Sequence, residues 1–446
     1  MKKRAWQTDL LDFASHKKVF MIVVPMVLSG VSTPLLGMVD TALMGHLDQP
    51  YYLGAVAVGA LAFSFLYWGF GFLRMSVTGL TAQALGASDT EVIVGTLVRG
   101  LLFAAVIGIF LLLAQGLVIR ATMWLVDTSA NVENGLSLYL AIRLWSAPAA
   151  FINYVLVGWF LGVQRPAYTL YLLLLVNLTN IVLDIVFVYV WSWDISGVAW
   201  ASVFAEYLGC IFGLFLTKRI VSKRGWVLTW RNHIQAQKFR SLFQLSGNIF
   251  IRTLCLIGSF AFFTIQGARY GEIVLAANAI LMNLQTFMAY ALDGFAHAAE
   301  ALVGKSIGER DYAATRRSIV ICVFWSALIA ASFVLAYALF GPSIINLLTD
   351  LPEVREAALI YLPWAIIAPL LSVWSYVLDG IFVGAAWSVL MRNTMVVSTL
   401  IFLVTWYVLQ EWGNHGLWLA FMVFMSARGM TMAWVFFQRK HQLQVM

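Results

Sequence analysis

Leu101-Leu102-Phe103-Ala104-Ala105-Val106-Ile107-Gly108-Ile109-Phe110-Leu111-Leu112-Leu113-Ala114 holds no charged or polar side chain. A strand crossing lipid in a barrel alternates apolar and polar positions in segments of about ten residues, so an unbroken apolar run reads as helix. Tyr168–Val176 is a second such run, interrupted only by Thr169. The whole chain is 62% hydrophobic and 11% charged, with a mean hydropathy of +0.86, whereas a soluble domain carries about 25% charged residues. At about 20 residues per crossing plus short loops, 446 residues accommodate roughly twelve membrane helices and no large extra domain. The expected fold is therefore an all-α integral membrane protein. Its spans are predicted near 19–43, 53–77, 93–118, 136–160, 168–190, 197–217, 243–267, 274–298, 314–339, 356–380, 390–409 and 416–437.

The first apolar stretch follows Met1-Lys2-Lys3-Arg4 and a polar segment, has no small-residue cleavage site, and reads as a retained span rather than a signal peptide. Cys210, Cys255 and Cys322 sit in apolar runs without paired spacing, which argues for packing residues rather than a disulfide framework or a metal site. No cofactor is expected. Basic residues alternate between loops. One side takes Lys2, Lys3, Arg4, Lys17, Lys18, Arg99, Arg165, Lys305, Arg310, Arg316, Arg317, Arg392, Arg439 and Lys440, together with the basic linker from Lys218 to Arg240. The other takes Arg120, Arg269 and Arg355. By the positive-inside rule both termini and the linker face the cytoplasm, and the net charge of +7 is explained by anionic inner-leaflet lipid without invoking nucleic acid.

Shifting the chain by 222 residues lays Leu85-Gly86-Ala87-Ser88-Asp89 over Ile307-Gly308-Glu309-Arg310-Asp311. The same shift matches Tyr139-Leu140 to Tyr361-Leu362 and Gly158-Trp159-Phe160-Leu161-Gly162 to Gly380-Ile381-Phe382-Val383-Gly384. After a three-residue slip, Gly197-Val198-Ala199-Trp200-Ala201 lies over Gly416-Leu417-Trp418-Leu419-Ala420. Two six-helix lobes follow, residues 1–217 and 241–446 joined by a cytoplasmic linker at 218–240. Because six is even, the halves enter the membrane the same way up and relate by a pseudo-twofold axis along its normal, a geometry suited to alternating access. The internal pseudo-dimer lets a monomer suffice.

Asp40, Asp184, Glu206, Asp293, Glu300 and Asp379 fall within or at the edge of expected spans. A charge at the bilayer centre costs at least about 2.5–3.5 kcal/mol, so each requires a partner, a watery cavity or a proton. Arg74, Arg143, Arg252 and Arg428 are the available intramembrane partners. Asn180 and Asp184 share one helical face at i, i+4, and so do Ser202 and Glu206 on the next span. Together with Asp40 they line three walls of one apolar half, where carboxylate, amide and hydroxyl oxygens suit either a proton or sodium. Pro25 and Pro34 mark where the first span can bend, as hinge or as fixed kink. Methionines and aromatics such as Met26, Met38, Phe63, Trp145, Met282 and Tyr376 are either an adaptable lining or ordinary core.

The segment Pro34-Leu35-Leu36-Gly37-Met38-Val39-Asp40-Thr41-Ala42-Leu43-Met44-Gly45-His46-Leu47 resembles the first span of the multidrug and toxic compound extrusion (MATE) family. Gly79–Ala87, Tyr290–Ala296 and Leu378–Ala385 add matches in the correct order. Together they point to the branch typified by the DNA-damage-inducible protein F. The resemblance implies two six-helix lobes that export varied, often cationic, small organic compounds in exchange for protons or sodium ions from a bacterial inner membrane. It further implies a coupling site at Asp40, Asn180, Asp184 and Ser202, the last standing where threonine is usual, with Tyr139 beside it. Glu206, Asp293 and Asp379 are left between coupling and structural roles. Proton-driven multidrug antiport is the expected function. Sodium coupling and a flippase for lipid-linked sugars stay as alternatives, although the few intramembrane arginines disfavour a pyrophosphate cargo. A channel or an enzyme is disfavoured, since no carbonyl-filter, H-E-x-x-H or G-x-S-x-G motif is present.

Overall fold

The computed structural model describes residues 9–45, 50–125, 129–227 and 236–440, with backbone alone for 33–36, 38, 40–42, 44, 45, 50, 125 and 236–238. The described chain is helical, as expected, with no strand among the described residues. The amino-terminal half carries α1 (Phe13–Gly45), α2 (Pro50–Gly69), α3 (Phe72–Gly86), α4 (Thr90–Leu113), α5 (Gln115–Leu125), α6 (Ala130–Arg143), α7 (Ala147–Gly162), α8 (Pro166–Ile185) and α9 (Asp194–Lys223). The second half carries α10 (Ala236–Ala268), α11 (Glu272–Gly308), α12 (Tyr312–Leu348), α13 (Pro352–Gly384), α14 (Ser388–Leu409) and α15 (Gly413–Arg439). Eleven continuous helical stretches are long and apolar enough to cross a membrane, and the last of them, Ser388–Arg439, contains both α14 and α15. At 52 residues that last stretch is long enough for two spans, so the described residues hold twelve candidate spans. Most helices overrun the expected spans, because a helix continues into the polar headgroup zone wherever caps and backbone bonds permit, whereas α4 stops at Leu113, short of the expected 118. Prolines 342, 363 and 369 sit inside α12 and α13 without ending them, as membrane helices allow.

The 222-residue repeat is visible in the backbone. Ser88 and Arg310 both take left-handed φ values, 55° and 58°, and Gln164 and Ala386 do so at 61° and 56°. After each left-handed residue an amide reaches back to close the preceding helix. Asp89 N bonds Ala84 O at 2.9 Å and Asp311 N bonds Ser306 O at 3.0 Å, while Arg165 N bonds Phe160 O at 2.8 Å and Trp387 N bonds Phe382 O at 2.9 Å. Asp89 and Asp311 then cap the next helix, accepting from Val92 N at 3.0 Å and Ala314 N at 2.9 Å. Glycines repeat the same packing. A Cβ at Gly158 would collide with the Arg74 carbonyl, and one at Gly380 with the Ala296 carbonyl, 222 residues on. At Gly162 and Gly384 a Cβ would stand 3.0 Å from Thr78 O and 2.9 Å from Glu300 O. Lipid supplies little hydrophobic drive between helices, so such small residues let α3 meet α7, and α11 meet α13, backbone to backbone.

Contacts divide the chain into two compact units. One comprises Leu28–Leu85 and Asp89–Ser246; the other comprises Met1–Val27, Gly86–Ser88 and Gly247–Met446. The boundary on α1 falls two residues beyond Pro25. Within the second unit, Asp9 meets Arg316 Nε at 2.9 Å, Asp12 meets Arg317 NH1 at 2.8 Å, and Trp325 Nε1 donates to His16 Nδ1 at 2.8 Å. Phe20 packs edge-on against Trp325 at 4.8 Å, and Gly294 seats Val27. These contacts lay the amino-terminal stretch along α11 and α12. Asp12 stays ionised below the usual carboxylate range because Ser15 donates to it and Arg317 faces it. The core of this unit is aromatic, with Phe263, Phe402, Trp418, Phe421 and Phe424 all fully buried.

Candidate coupling site

Pro166 starts α8 with a fixed φ, and the helix ends in a π turn at Val186–Val190, a distortion that recurs at functional sites. Just before that turn α8 presents Asn180 and Asp184, one helical turn apart, 2% and 0% exposed. Ser202, on α9, is also buried, and Asn180 Nδ2 donates to Ser202 Oγ at 3.3 Å. These are two of the elements predicted to share the site. Asp40 and Pro34 belong to the backbone of α1, but their side chains lie outside the described residues, as does that of Met38. Pro25 is half-buried within the same helix. Tyr139 is buried with its ring against Phe63 at 6.1 Å and over Gly59.

Glu206 faces a partner that sequence reasoning missed. Asn153 of α7 donates through Nδ2 to Glu206 Oε2 at 2.8 Å and to the Glu206 carbonyl at 3.0 Å. The signal for it was one amide in an otherwise apolar helix, Ala147–Gly162. Arg143 stands within electrostatic range of Glu206, lies over the Phe63 ring at 5.5 Å, and donates to Ser146 Oγ at 3.1 Å. Tyr67 joins Ser146 at 2.8 Å. Two polar groups thus lie inside one unit, Asn180 with Ser202 between α8 and α9, and Asn153, Glu206 and Arg143 across α6, α7 and α9.

In the other unit Asp379 Oδ2 meets both Arg252 of α10 and Arg428 of α15, the latter at 3.0 Å. Two guanidiniums on one carboxylate compensate its charge fully and tie three helices together. Glu300 lies 3.6 Å from His297 Nδ1. Asp293 is half-buried, within electrostatic range of Tyr290 and Tyr376. Asn278 and Asn414 exchange hydrogen bonds at 2.8 and 2.9 Å, and Trp418 Nε1 adds a third to Asn278 at 2.8 Å. This cluster also went unpredicted, since single asparagines carry no spacing signal.

Repeated six-span units that shelter carboxylates and amides from lipid define a secondary transporter of the membrane. The MatE family model matches residues 25–186 and 249–408. The chain belongs to that family of multidrug and toxic compound efflux transporters, multi-pass proteins that are not enzymes. It is 42% identical to the DNA damage-inducible protein F of Escherichia coli (strain K12), over 96% of this chain and 93% of that one. A probable multidrug resistance protein NorM of Neisseria meningitidis is 22% identical over 76% of this chain and 74% of its own length. A solved MATE structure in the straight conformation superposes with a TM-score of 0.87, covering 97% of each chain at 17% identity, and shows the shared fold.

Proposed function

We propose that this chain exports organic cations from the cytoplasm in exchange for protons, as a monomer in a bacterial inner membrane with both termini inside. Asp40 and Asp184 are the proton carriers, Asn180 and Ser202 the groups whose hydrogen bonding changes as they load, and Tyr139 their neighbour. The observation that carries this reading is the buried Asn180–Ser202 contact with Asp184 one turn along the same helix. A carboxylate beside a donor and an acceptor that can exchange partners is poised to register a proton as a change in helix contacts.

Protonation from the outer side neutralises the carboxylates and frees α8 and α9 to repack. The first span bends near Pro25 or Pro34, the amino-lobe cavity shrinks, and cargo leaves. That the boundary between compact units crosses α1 just after Pro25 supports a bend there. Asp379 serves as a structural tie in this scheme, since its charge is already matched. Sodium is the competing ion, because the same oxygens coordinate a hard cation. Dye efflux from proteoliposomes separates the two. An imposed proton gradient in sodium-free buffer drives export under the proposal, whereas export that responds only to a sodium gradient at clamped pH overturns it.

A further inference from the structure

We infer that the ends of α2, α6 and α9 remote from the basic loops form a mouth site for an aromatic organic cation, built by Tyr51, Tyr52, Trp193 and Asp194. The inference rests on the antiport reading only for the direction of traffic through it. An open cavity of about 420 Å³ lies between these helix starts, with Asn131 and Asn134 also on its wall, a volume typical of small-molecule sites. Among the described residues lining it, Asp194 is the one group charged at neutral pH. Tyr52 donates to Asp194 Oδ2 at 3.2 Å. The Tyr51 and Tyr52 rings stand 4.5 Å apart, and Trp193 is held by Phe187 at 4.9 Å and Trp191 at 5.1 Å. Fixed π faces around a single negative charge, open to water, match a delocalised cation.

Comparison of the two repeats separates what the fold needs from what this mouth adds. At the slip that aligns Gly197 with Gly416, Trp193 corresponds to Trp412 and Asp194 to Gly413. Both Asp194 and Gly413 take left-handed backbone, φ 47° and 59°. Glycine enters that region freely, whereas a residue with a Cβ is strained there. Ser192, two positions earlier, is left-handed as well, at φ 56°, and the Trp193 amide closes back on Phe187 O at 2.9 Å, the helix-end turn also seen after Ser88 and Gln164; Asp194 is left-handed beyond that turn. At the 222-residue shift that holds before the slip, the two tyrosines correspond to Ile273 and Val274, so the turn recurs with its tryptophan but without the tyrosines or the carboxylate. An interfacial aromatic belt accounts for exposed tryptophans, but not for a strained aspartate bonded to Tyr52.

The test uses the full chain, purified in detergent, with Asn134→Cys labelled by a hydrophilic maleimide and corrected for the native cysteines in the chain lacking that change. Tetraphenylphosphonium should slow labelling saturably, while neutral triphenylphosphine oxide should not. Asp194→Asn should raise the concentration for half-protection about tenfold. Asp194→Gly should do the same while unfolding at or above the wild-type temperature, because it relieves the strained φ; this separates lost binding from lost folding. Equal protection by both probes, or protection unchanged in Asp194→Asn and Asp194→Gly, overturns the inference. Protection that persists in Asp184→Asn supports a mouth separate from the coupling site, and protection lost there overturns that separateness. Failure of the antiport reading registers in the efflux assay, not in this one.

Discussion

Asp379→Asn puts the structural role of that carboxylate against a coupling role. Asp379, Arg252 and Arg428 are 6%, 7% and 2% exposed, and the substitution leaves two buried guanidiniums facing each other without a counter-charge. At 3.0 Å and an effective dielectric of about 20, each lost attraction amounts to roughly 5 kcal/mol before desolvation is counted. Removing one partner from a buried pair costs about 3–5 kcal/mol net. For a folding unit of some 200 residues that corresponds to a fall in unfolding temperature on the order of 10 °C. The assay is thermal unfolding of the purified protein in detergent, paired with dye efflux from proteoliposomes. A triple variant, Asp379→Leu with Arg252→Met and Arg428→Met, should recover most of the lost stability, because apolar replacement of a whole buried ion cluster is often neutral or stabilising. It should also retain pH-driven efflux. Wild-type thermal stability in Asp379→Asn combined with loss of efflux would refute the reasoning and make Asp379 a coupling group.

Gly158→Ala and Gly380→Ala should each cost about 1–3 kcal/mol or prevent folding, since the added methyl meets a backbone carbonyl; Gly258→Ala, with open space around it, should be neutral or stabilising by size-exclusion profile and thermal unfolding. Asn153→Leu removes the buried amide donor to Glu206 and should destabilise by about 1–3 kcal/mol, the cost of leaving a buried acceptor unsatisfied, read by the same unfolding assay. Asp12, whose folded pKa is depressed by Ser15 and Arg317, contributes stability above the ordinary carboxylate range that is lost as pH falls through the depressed value. Hydrogen exchange of residues 9–20 should therefore be faster in Asp12→Asn than in wild type near pH 7, and the two should converge in acid.

Crossing number, repeat and family were legible in the sequence because each rests on patterns many residues long. The 222-residue shift aligned loop motifs whose left-handed Ser88 and Arg310 now explain why those loops align. Helix ends were less legible: α11 runs from Glu272 to Gly308, well past its apolar window, since hydropathy marks lipid and not hydrogen bonding. The i, i+4 spacings placed Asn180 with Asp184 and Ser202 with Glu206, and the backbone carries both pairs as drawn. Which residue crosses to which was not legible. Asn153 reaching Glu206, and Arg252 with Arg428 converging on Asp379, depend on helix rotation and packing depth, which sequence spacing within one helix does not encode. The tie of Asp9, Asp12 and His16 to α12 joins residues some 300 positions apart and left no local trace.

The central claim is that Asp184, with Asp40, carries the proton that drives export. Drug-stimulated proton flux in proteoliposomes tests it most directly, with wild type, Asp184→Asn and Asp40→Asn compared at equal reconstituted amounts. The account predicts proton movement on drug addition in wild type, and loss of both proton movement and pH-driven export in each variant despite wild-type folding. Export driven by a pH gradient at the wild-type rate in Asp184→Asn would contradict it.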